Sequence, residues 1–404
     1  MSSTLSWRAE SLLNRPSVIL KAAVQCYSDP YSSENTSGYL NFGVAENMLI
    51  DDLLLEKTSQ SHFDNPRYHH YHETFGCEEI RTAFTEFLHH NFFQRLYNPD
   101  NVVVSSGASA ILEILSFCMF NPGDKILLPA PYYSGFETDL EVRFQAEILP
   151  FPVDVADNFH LDPSELIEFI KKEKPKAVLI CHPHNPTGVA YSREYIQQLS
   201  TFCEENKTHL VFDEVYFMTR LNQIKPATSL EFSEGSQYTH FIYSMAKDFA
   251  LGGFKIGYFY SENQELLNAF KGVAYFHTPS THTQLLCANL LRDQSFINNL
   301  IHQNIQRIGH CFEKIENGIL KEICDHYTKP TNCFFNFINL SSLMLKLGIQ
   351  DEIEMFDFLL NKMKINMLPG AYFGYPGRNY FRLCYARTDE QIEEFIQRFK
   401  DLEI

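Results

Sequence analysis

Short β-rich runs alternate with helical stretches through the middle of this chain, and no other sequence feature limits the possible folds as strongly. Seven runs are strand-like: 101–104 (NVVV), 125–128 (KILL), 147–151 (EILPF), 177–181 (AVLIC), 209–212 (HLVF), 238–243 (YTHFIY) and 255–260 (KIGYFY). Helical runs include 108–119 and about 193–206. Strands separated by helices predict a mostly parallel sheet covered on both faces, and therefore an α/β fold.

The regular alternation of strands and helices ends at about residue 295. A long helix is followed by a strand-like run at 332–338, a helix near 351–363, a Gly- and Pro-rich loop at 369–377 and a run at 380–384. This pattern predicts a smaller α+β unit, with which the N-terminal segment should pack because chain termini often lie together. We therefore expect an N-terminal segment 1–45, a large domain 46–295 and a small domain 296–404.

Charge and cysteine usage exclude some classes of function. The formal net charge of −17 would repel a polyanion over most of the surface, so nucleic-acid binding is not expected. Ten Cys residues without any CxxC pair favour reduced thiols over a disulfide framework. The first residues (MSSTLSWRAESLLNRP) contain no apolar signal core, and no apolar run reaches membrane-spanning length. We expect a cytoplasmic protein without a membrane segment.

Polar residues follow four of the predicted strands, where ligands bind in open α/β sheets. Residues 106–109 (SGAS) open a helix, residues 182–188 (HPHNPTG) follow AVLIC, Asp213 ends HLVF, and residues 244–247 (SMAK) follow YTHFIY. Each motif alone has a simple alternative: a strand-to-helix turn, a Pro-Gly turn, a helix cap or a solvated Lys. The order and spacing of all four favour a ligand site over those alternatives.

Together with further segments, these motifs resemble the class I/II aminotransferase superfamily, of pyridoxal 5′-phosphate (PLP) fold type I. Within it the resemblance is to the 1-aminocyclopropane-1-carboxylate (ACC) synthase-like branch. The further segments are 41–47 (NFGVAEN), 71–76 (YHETFG), 131–139 (PYYSGFETD), 244–257 (SMAKDFALGGFKIG) and 380–386 (YFRLCYA). The resemblance implies PLP as cofactor, a large domain built on a mainly parallel seven-stranded sheet, and a smaller α+β domain.

The resemblance also implies catalytic roles. Lys247 should form the internal aldimine and, once released by the substrate amine, move the α-proton. Asp213 should pair with the pyridinium nitrogen and keep it protonated, so that the ring accepts electrons from the α-carbon. Asn185 and Tyr216 should hydrogen-bond the phenolate oxygen of the ring, and Tyr133 should stack on the ring face.

The phosphate of the cofactor is expected to bind in a small set of residues. By the resemblance these are Ala108, Ser109, Ser244 and Lys255 of one subunit and Tyr71 of the partner. The family usually has Arg where this sequence has Lys255, so the charge is kept while the two-pronged fork of Arg is lost. Two other departures are Ala246, where a second Ser is common, and Ser134, where Pro is usual.

The substrate is expected to be an amino acid. Arg382 is the candidate for binding its α-carboxylate because the planar guanidinium group makes two parallel bonds, and Arg378 and Arg387 compete for this role. Asn185 should also contact the substrate. Glu46 resembles the ACC synthase-type glutamate near the substrate amine, although a helix-start carboxylate is the simpler interpretation.

The resemblance does not decide the reaction, because one fold serves several chemistries on this cofactor. We favour an amino-acid aminotransferase, with ACC synthase-type or carbon–sulfur lyase elimination as the alternative and a non-catalytic dimeric scaffold as a remote one. A homodimer with shared active sites is implied by the family. The His-rich stretches at 69–72, 89–90 and 182–184 lack the spacing of a closed zinc site, so no metal is expected.

Overall fold

The computed structural model describes residues 18–59, 69–153, 159 and 161–402. The first 17 residues of the predicted N-terminal segment, including those searched for a signal core, lie outside this part. Within these ranges no helix combines the length and the apolar character needed to cross a membrane.

A seven-stranded sheet forms the centre of the molecule, as predicted. In chain order its strands are β2 (Val102–Ser105), β3 (Lys125–Ala130), β4 (Glu147–Pro152), β5 (Ala177–Cys181), β6 (His209–Asp213), β7 (Thr239–Ser244) and β8 (Gly257–Tyr260). Their spatial order is β2-β8-β7-β6-β5-β3-β4. Only β8 runs antiparallel to its neighbours, so the other six strands point the same way. Their carboxyl ends therefore lie along one edge of the sheet.

Helices cover both faces of this sheet. Up to residue 315 the described α-helices are α1 (Val18–Ser28), α2 (Asp51–Ser59), α3 (Glu78–Asn91), α4 (Ala108–Met119), α5 (Gly135–Glu141), α6 (Pro163–Glu173), α7 (Arg193–Asn206), α8 (Met245–Asp248), α9 (Gln264–Val273), α10 (Thr281–Arg292) and α11 (Gln294–Ile315). Of these, α1 packs against the strands Leu40–Asn41 and Ile365–Asn366 instead. Successive residues of β2 alternate between two apolar cores, Val103 in one and Val102 and Val104 in the other. The sheet is thus buried on both sides, as expected for a mainly parallel sheet.

The C-terminal part contains a second sheet of four antiparallel strands. The strands are β9 (His326–Tyr327), β10 (Phe335–Asn339), β12 (Leu368–Pro369) and β13 (Tyr380–Cys384), in the order β12-β13-β10-β9. Helices α12 (Ser341–Leu347), α13 (Glu352–Asn361) and α14 (Asp389–Lys400) belong to the same part of the chain. β1 (Leu40–Asn41) pairs with β11 (Ile365–Asn366), which joins the N-terminal segment to this part. The domain division at residues 45 and 295 stays a prediction.

Two predicted strands begin later than the sequence suggested. The run 255–260 begins as a strand only at Gly257, because Lys255 has a left-handed backbone (φ +51°) after a 3-10 turn, Gly252–Phe254. The run 332–338 begins only at Phe335, because Cys333 also has a positive φ of 66°. A residue in the left-handed region interrupts an extended strand. In the first case this turn brings Lys255 to the edge of the sheet where the cavity described next is found.

Candidate active site

A cavity of about 220 Å³ opens at the carboxyl ends of β5, β6 and β7 and at the start of α4. It contains nine of the twelve predicted site residues. Its lining residues are Gly107, Ala108, Ser109, Tyr133, Cys181, Asn185, Asp213, Val215, Tyr216, Ser244, Ala246, Lys247, Gly252 and Lys255. Residues from widely separated segments therefore meet where the sheet topology predicts a ligand site.

Lys247 lies on the short helix α8, which follows β7 directly. The Ser244 side chain caps this helix by accepting a hydrogen bond from the Ala246 amide. Lys247 Nζ donates a 2.7 Å hydrogen bond to the carbonyl oxygen of Ala45. Burial, assisted by the positive charge of Arg382, lowers the pKa of Lys247 to about 8. About a tenth of this amine is therefore unprotonated, and hence nucleophilic, at pH 7, far more than for a lysine with the usual pKa.

Asp213 is the last residue of β6 and is 5% exposed. Its Oδ1 atom is enclosed and has no hydrogen-bond partner among the described residues. Burial raises the pKa of Asp213 to about 7, and nearby Asp139 adds to the rise, whereas Lys247 opposes it. An unpaired buried carboxylate oxygen is costly. A cationic N–H group in the cavity would satisfy this atom, so Asp213 fits the pyridine nitrogen of PLP.

Two glycines let the chain form an anion cradle at the start of α4. Gly107 precedes the helix with φ +94°, and no side chain caps the helix there. A Cβ atom on Gly257 would lie 2.7 Å from the carbonyl carbon of Gly107, so only Gly permits this approach. Lys255 Nζ lies 3.7 Å from the position that a Cβ on Gly107 would occupy. Free N–H groups at a helix start beside an ammonium group and Ser109 suit a phosphate.

Tyr133 and Tyr216 are held by aromatic contacts. Tyr133 packs edge-on against Phe136 with ring centroids 5.3 Å apart, and burial raises its pKa to about 12. Tyr216 is 2% exposed and packs edge-on against Phe335 at 5.1 Å, and burial raises its pKa well above the usual value. Both phenols are therefore neutral and able to donate a hydrogen bond.

Arg382 lies on β13 and reaches the large sheet from the C-terminal part of the chain. It donates 3.0 Å and 2.6 Å hydrogen bonds to Asn185 Oδ1 and the Gly43 carbonyl oxygen, respectively. Its Nε atom has no partner among the described residues. The ring of Phe373 lies 4.9 Å from its guanidinium carbon. Arg382 is thus a buried cation beside the cavity with donors to spare.

The two competing arginines are placed differently. Arg387 donates hydrogen bonds to four backbone carbonyl oxygens, which commits it to holding the segment around residues 41–46. Arg378 is exposed and lies over the ring of Tyr375 at 5.7 Å. Neither guanidinium group is available to the cavity as Arg382 is.

Three predicted site residues, Arg382, Glu46 and Tyr71, are not among the residues that line the cavity. Glu46 is exposed, accepts a 3.5 Å hydrogen bond from the Tyr27 hydroxyl, and raises the pKa of Lys247, so it lies near that amine. Tyr71 is fully exposed at 105% and lines a separate cavity of about 860 Å³. The contribution of Tyr71 to the site of a partner subunit stays a prediction.

Three residues near the site were missed in the sequence. Asp139 of α5 is half-buried, and its Oδ2 atom is enclosed without a hydrogen-bond partner among the described residues. Cys181, the last residue of β5, lines the cavity. Asp248, next to Lys247, is fully buried and accepts hydrogen bonds from the Met218 and Thr219 amides and from the Thr219 and Tyr243 hydroxyls. The motif 131–139 already contained Asp139, and Asp248 directly follows the predicted Lys, but neither pattern shows that a carboxylate is buried.

The histidines of the 182–184 stretch have ordinary partners. His182 Nε2 is hydrogen-bonded to the carbonyl oxygen of Ala227, and His184 Nδ1 to the hydroxyl of Thr187. Within the residues that the structure describes, no cluster of three or more His, Cys, Asp and Glu side chains could hold a metal ion.

Curated proteins and solved structures that are similar to this chain were found by comparison of sequence and of fold. 1-Aminocyclopropane-1-carboxylate synthase of Glycine max is 28% identical, over 92% of this chain and 81% of its own length. 1-Aminocyclopropane-1-carboxylate synthase 8 of Arabidopsis thaliana is 30% identical, over 90% and 82%. The aspartate aminotransferase of Thermus thermophilus, solved with maleate, superposes with a TM-score of 0.82 at 19% identity, covering 98% of this chain and 99% of that chain.

The N-succinyldiaminopimelate aminotransferase of Mycobacterium tuberculosis has the same fold, with a TM-score of 0.81 at 19% identity over 98% and 99% of the two chains. Residues 39–399 match the family described as aminotransferase class I and II. The match covers both sheets and the residues that line the cavity. The chain therefore belongs to the class I and II aminotransferase family of PLP-dependent enzymes, and within it resembles the ACC synthase-like branch.

Proposed function

We propose that this protein is an amino-acid aminotransferase that holds PLP on Lys247 and acts at the α-carbon of its substrate. One observation carries the proposal: a buried amine with a lowered pKa and a buried carboxylate with an unpaired oxygen line one cavity. When bound, PLP supplies an electron sink for the electron pair left at the α-carbon. The remaining roles follow from the chemistry of the residues around it.

The cofactor-binding roles match the donors and acceptors that are present. Asp213 Oδ1 would accept the N–H of the pyridine ring, while Asn185 and Tyr216 would orient the ring through its phenolic oxygen. Tyr133 would cover one ring face. The phosphate would be bound by the start of α4 and by a set of polar side chains: Ser109, Ser244 and Lys255, with Ala108 contributing its backbone N–H.

The substrate-binding roles rest on Arg382. Among the described residues, two of its five N–H donors have a hydrogen-bond partner, so donors remain for the two oxygens of an α-carboxylate. Asn185, which accepts from Arg382, orients that guanidinium group. Glu46 lies near the Lys247 amine and can attract the ammonium group of an incoming amino acid.

Proton transfer is assigned to Lys247. Once the substrate amine has displaced it, its free amine can take the α-proton, because burial and Arg382 keep its pKa near the working pH. A lysine with the usual pKa would be almost fully protonated and could not act as a base. Transamination needs no more than these groups.

The second candidate is ACC synthase-type elimination on S-adenosylmethionine, or carbon–sulfur lyase chemistry on a related amino acid. Two observations favour it: curated ACC synthases are 28–30% identical over at least 90% of this chain, and Glu46 lies near Lys247. Ring closure also requires a surface that holds the departing methylthioadenosine. We keep it second because the residues assigned above suffice for transamination. A non-catalytic scaffold is disfavoured, since Lys247 and Asp213 line one cavity and Arg382 is hydrogen-bonded to Asn185 of that lining.

We also propose a homodimer in which Tyr71 of each subunit completes the phosphate site of the other. The full exposure of this Tyr beside a large cavity supports the idea, because large exposed aromatic groups are frequent at interfaces. The cytoplasmic location stays a prediction from the sequence.

The experiment that tests the proposal mixes the purified protein and PLP with a panel of amino acids and S-adenosylmethionine. The absorbance spectrum is recorded, and the products are identified by mass spectrometry. Formation of pyridoxamine phosphate and a keto acid, reversed by adding a keto acid, would establish transamination and name the donor. ACC with methylthioadenosine, and no pyridoxamine phosphate, would move the assignment to the second candidate.

The matched control is Lys247→Arg, which keeps a positive charge but cannot bond covalently to the cofactor. It should lose both the yellow absorbance and the products. If Lys247→Arg turned over substrate like the wild type, the assignment of Lys247 would be wrong.

A further inference from the structure

Arg387 binds the backbone of a short segment, residues 41–46. Its guanidinium group donates hydrogen bonds of 2.7, 2.6 and 2.6 Å to the carbonyl oxygens of Asn41, Val44 and Glu46, respectively. The residue is 2% exposed. A planar group with donors at fixed angles holds these three oxygens in fixed positions relative to one another. Arg387 therefore sets the backbone conformation of the 41–46 segment.

Two other carbonyl groups of this segment bind residues of the proposed site. The Gly43 carbonyl oxygen accepts a 2.6 Å hydrogen bond from Arg382. The Ala45 carbonyl oxygen accepts one of 2.7 Å from Lys247 Nζ. Gly43 and Ala45 are both neighbours in sequence of residues whose carbonyl groups Arg387 binds. The segment therefore cannot move at Arg387 without moving the partners of Arg382 and Lys247.

Arg382 is held by two acceptors from different parts of the chain. One is the Gly43 carbonyl oxygen, and the other is Oδ1 of Asn185, which lines the cavity, at 3.0 Å. Two acceptors on different nitrogens fix the plane of a guanidinium group, whereas a single acceptor allows it to turn about one hydrogen bond. Two parallel bonds to a carboxylate require a defined plane. The position of Gly43 therefore affects how well Arg382 can bind a carboxylate.

We infer that Arg387 is a positioning residue for the substrate carboxylate: it holds the 41–46 segment so that the Gly43 carbonyl group orients Arg382. The inference rests on the proposed function. Arg387 acts without touching the substrate, which separates this role from that of a direct carboxylate ligand. Its loss should weaken binding of the carboxylate and leave the other substrate contacts in place.

The test measures equilibrium binding of two stable conjugates to the cofactor-free protein, without any turnover. In one conjugate PLP is joined through a secondary amine to alanine, and in the other it is joined to ethylamine, which lacks only the carboxylate. Both share the contacts of the pyridine ring and the phosphate, so the ratio of their dissociation constants isolates the carboxylate. The wild type should prefer the alanine conjugate by about 100-fold or more, because Arg382 offers two charge-assisted hydrogen bonds.

The decisive variant is Arg387→Lys, which keeps the positive charge but cannot hold three carbonyl oxygens with one planar group. Its preference for the alanine conjugate should fall by about tenfold, because a misaligned Arg382 forms one good bond fewer. A purely structural role would lower the number of binding sites and would leave the ratio unchanged.

The matched control is Arg398→Lys. Arg398 also donates hydrogen bonds to four backbone carbonyl oxygens outside the 41–46 segment, namely those of Thr36, Gly38, Met363 and Lys364. It therefore joins the N-terminal and C-terminal parts of the chain in the same way without binding the segment. Arg398→Lys should keep the wild-type ratio.

Amide hydrogen exchange of the wild type provides a second measurement that needs no variant. The amides of Glu46 and Met48 donate hydrogen bonds to the carbonyl oxygens of Val44 and Ala386, respectively. A bound carboxylate that fixes Arg382 should also fix the segment. The alanine conjugate should therefore slow the exchange of these amides more than the ethylamine conjugate does.

Three results would overturn the inference: a wild-type ratio in folded Arg387→Lys, an equal loss of preference in Arg398→Lys, or equal exchange with the two conjugates. If Arg387→Lys did not fold, the exchange measurement would decide alone. If neither conjugate bound the wild type, the proposed function itself would fail.

Discussion

At the scale of single residues, the most specific prediction is that Arg382 binds the α-carboxylate of the substrate. Arg382→Lys keeps a positive charge but loses the paired donors, and Arg382→Ala loses both. Because a charge-assisted hydrogen bond contributes about 1.5–3 kcal/mol, kcat/KM for the amino acid should fall by about 10- to 150-fold per bond lost. Steady-state kinetics on the best amino acid from the substrate panel measures this change.

The control for Arg382 is Arg378→Lys, an equal change at an exposed position. It should leave kcat/KM within about twofold of the wild type. A second control is the amine that lacks the carboxylate, which should react equally poorly with the wild type and with Arg382→Lys. Equal losses for the amino acid and for this amine would mean that Arg382 does not bind the carboxylate.

A second prediction concerns the pH dependence of cofactor capture by Lys247. Only the neutral amine can attack the PLP aldehyde, so the capture rate should rise with pH through the lowered pKa of about 8 and then level off. Arg382→Gln removes a charge that lowers this pKa and should move the midpoint upward. Stopped-flow absorbance of the cofactor-free protein measures the rate, and Arg378→Gln serves as the control. A midpoint that Arg382→Gln leaves in place would contradict the electrostatic role of Arg382.

The sequence pattern indicated which residues lie at strand ends, but it could not show which side chains are buried. Asp213 and Lys247 follow apolar runs, and both line the cavity. Arg382 and Arg387 lie in the same apolar stretch, so only the structure shows that Arg387 is occupied by carbonyl groups. In the sequence, Asp139 is one of three acidic residues on the helix 135–141. The pattern could not show that it is less exposed than Glu137, because exposure depends on which other segments pack against the helix.

At the scale of elements, the cradle formed by the start of α4 and β8 depends on Gly257. In Gly257→Ala the new methyl group would lie 2.7 Å from the carbonyl carbon of Gly107 and 2.9 Å from the Ala108 amide nitrogen. Because these are backbone atoms, the cradle must shift. Overpacking of this kind costs about 1–3 kcal/mol, and we expect most of it to appear as weaker PLP binding.

The control is Gly253→Ala, in the turn just before β8, where an added Cβ meets no atom within 4 Å. Its PLP dissociation constant should stay close to that of the wild type. The constants are measured by titrating the cofactor-free proteins with PLP. Similar binding by the two variants would show that the close approach of Gly257 to Gly107 is not needed for the phosphate.

Element boundaries were predictable where local signals are strong. The helices 108–119 and 193–206 have the predicted bounds, and the second is capped by Ser192 at its start and by a left-handed Lys207 at its end. The strands that begin late do so after Lys255 and Cys333, which have positive φ. Neither residue type favours that conformation, so tertiary packing selects it and no sequence pattern reveals it.

At the scale of the whole molecule, the alternation of strands and helices was enough to predict the parallel sheet, and the motifs were enough to predict its family. The contact between the two parts of the chain that carry the sheets could not be predicted from the sequence. It joins residues that are far apart along the chain, such as Arg382 and Asn185. The pairing of β1 with β11 is a contact of the same kind.

The proposed dimer leads to a complementation experiment. Tyr71→Ala and Lys247→Ala chains should each be poorly active alone, but a mixed dimer has one site with Lys247 from one chain and Tyr71 from the other. After subunit exchange, activity should rise to at most about one quarter of the wild type. If mixing gave no gain although exchange was verified by mass spectrometry, Tyr71 would not serve the partner subunit.

The most direct test of the account is to find where PLP attaches. The protein is incubated with PLP, reduced with borohydride to fix any imine as a stable amine, digested and sequenced by mass spectrometry. We predict a phosphopyridoxyl group on Lys247 and its absence in Lys247→Arg. Labelling of a different lysine, or no specific labelling of a folded protein at saturating PLP, would contradict the central claim.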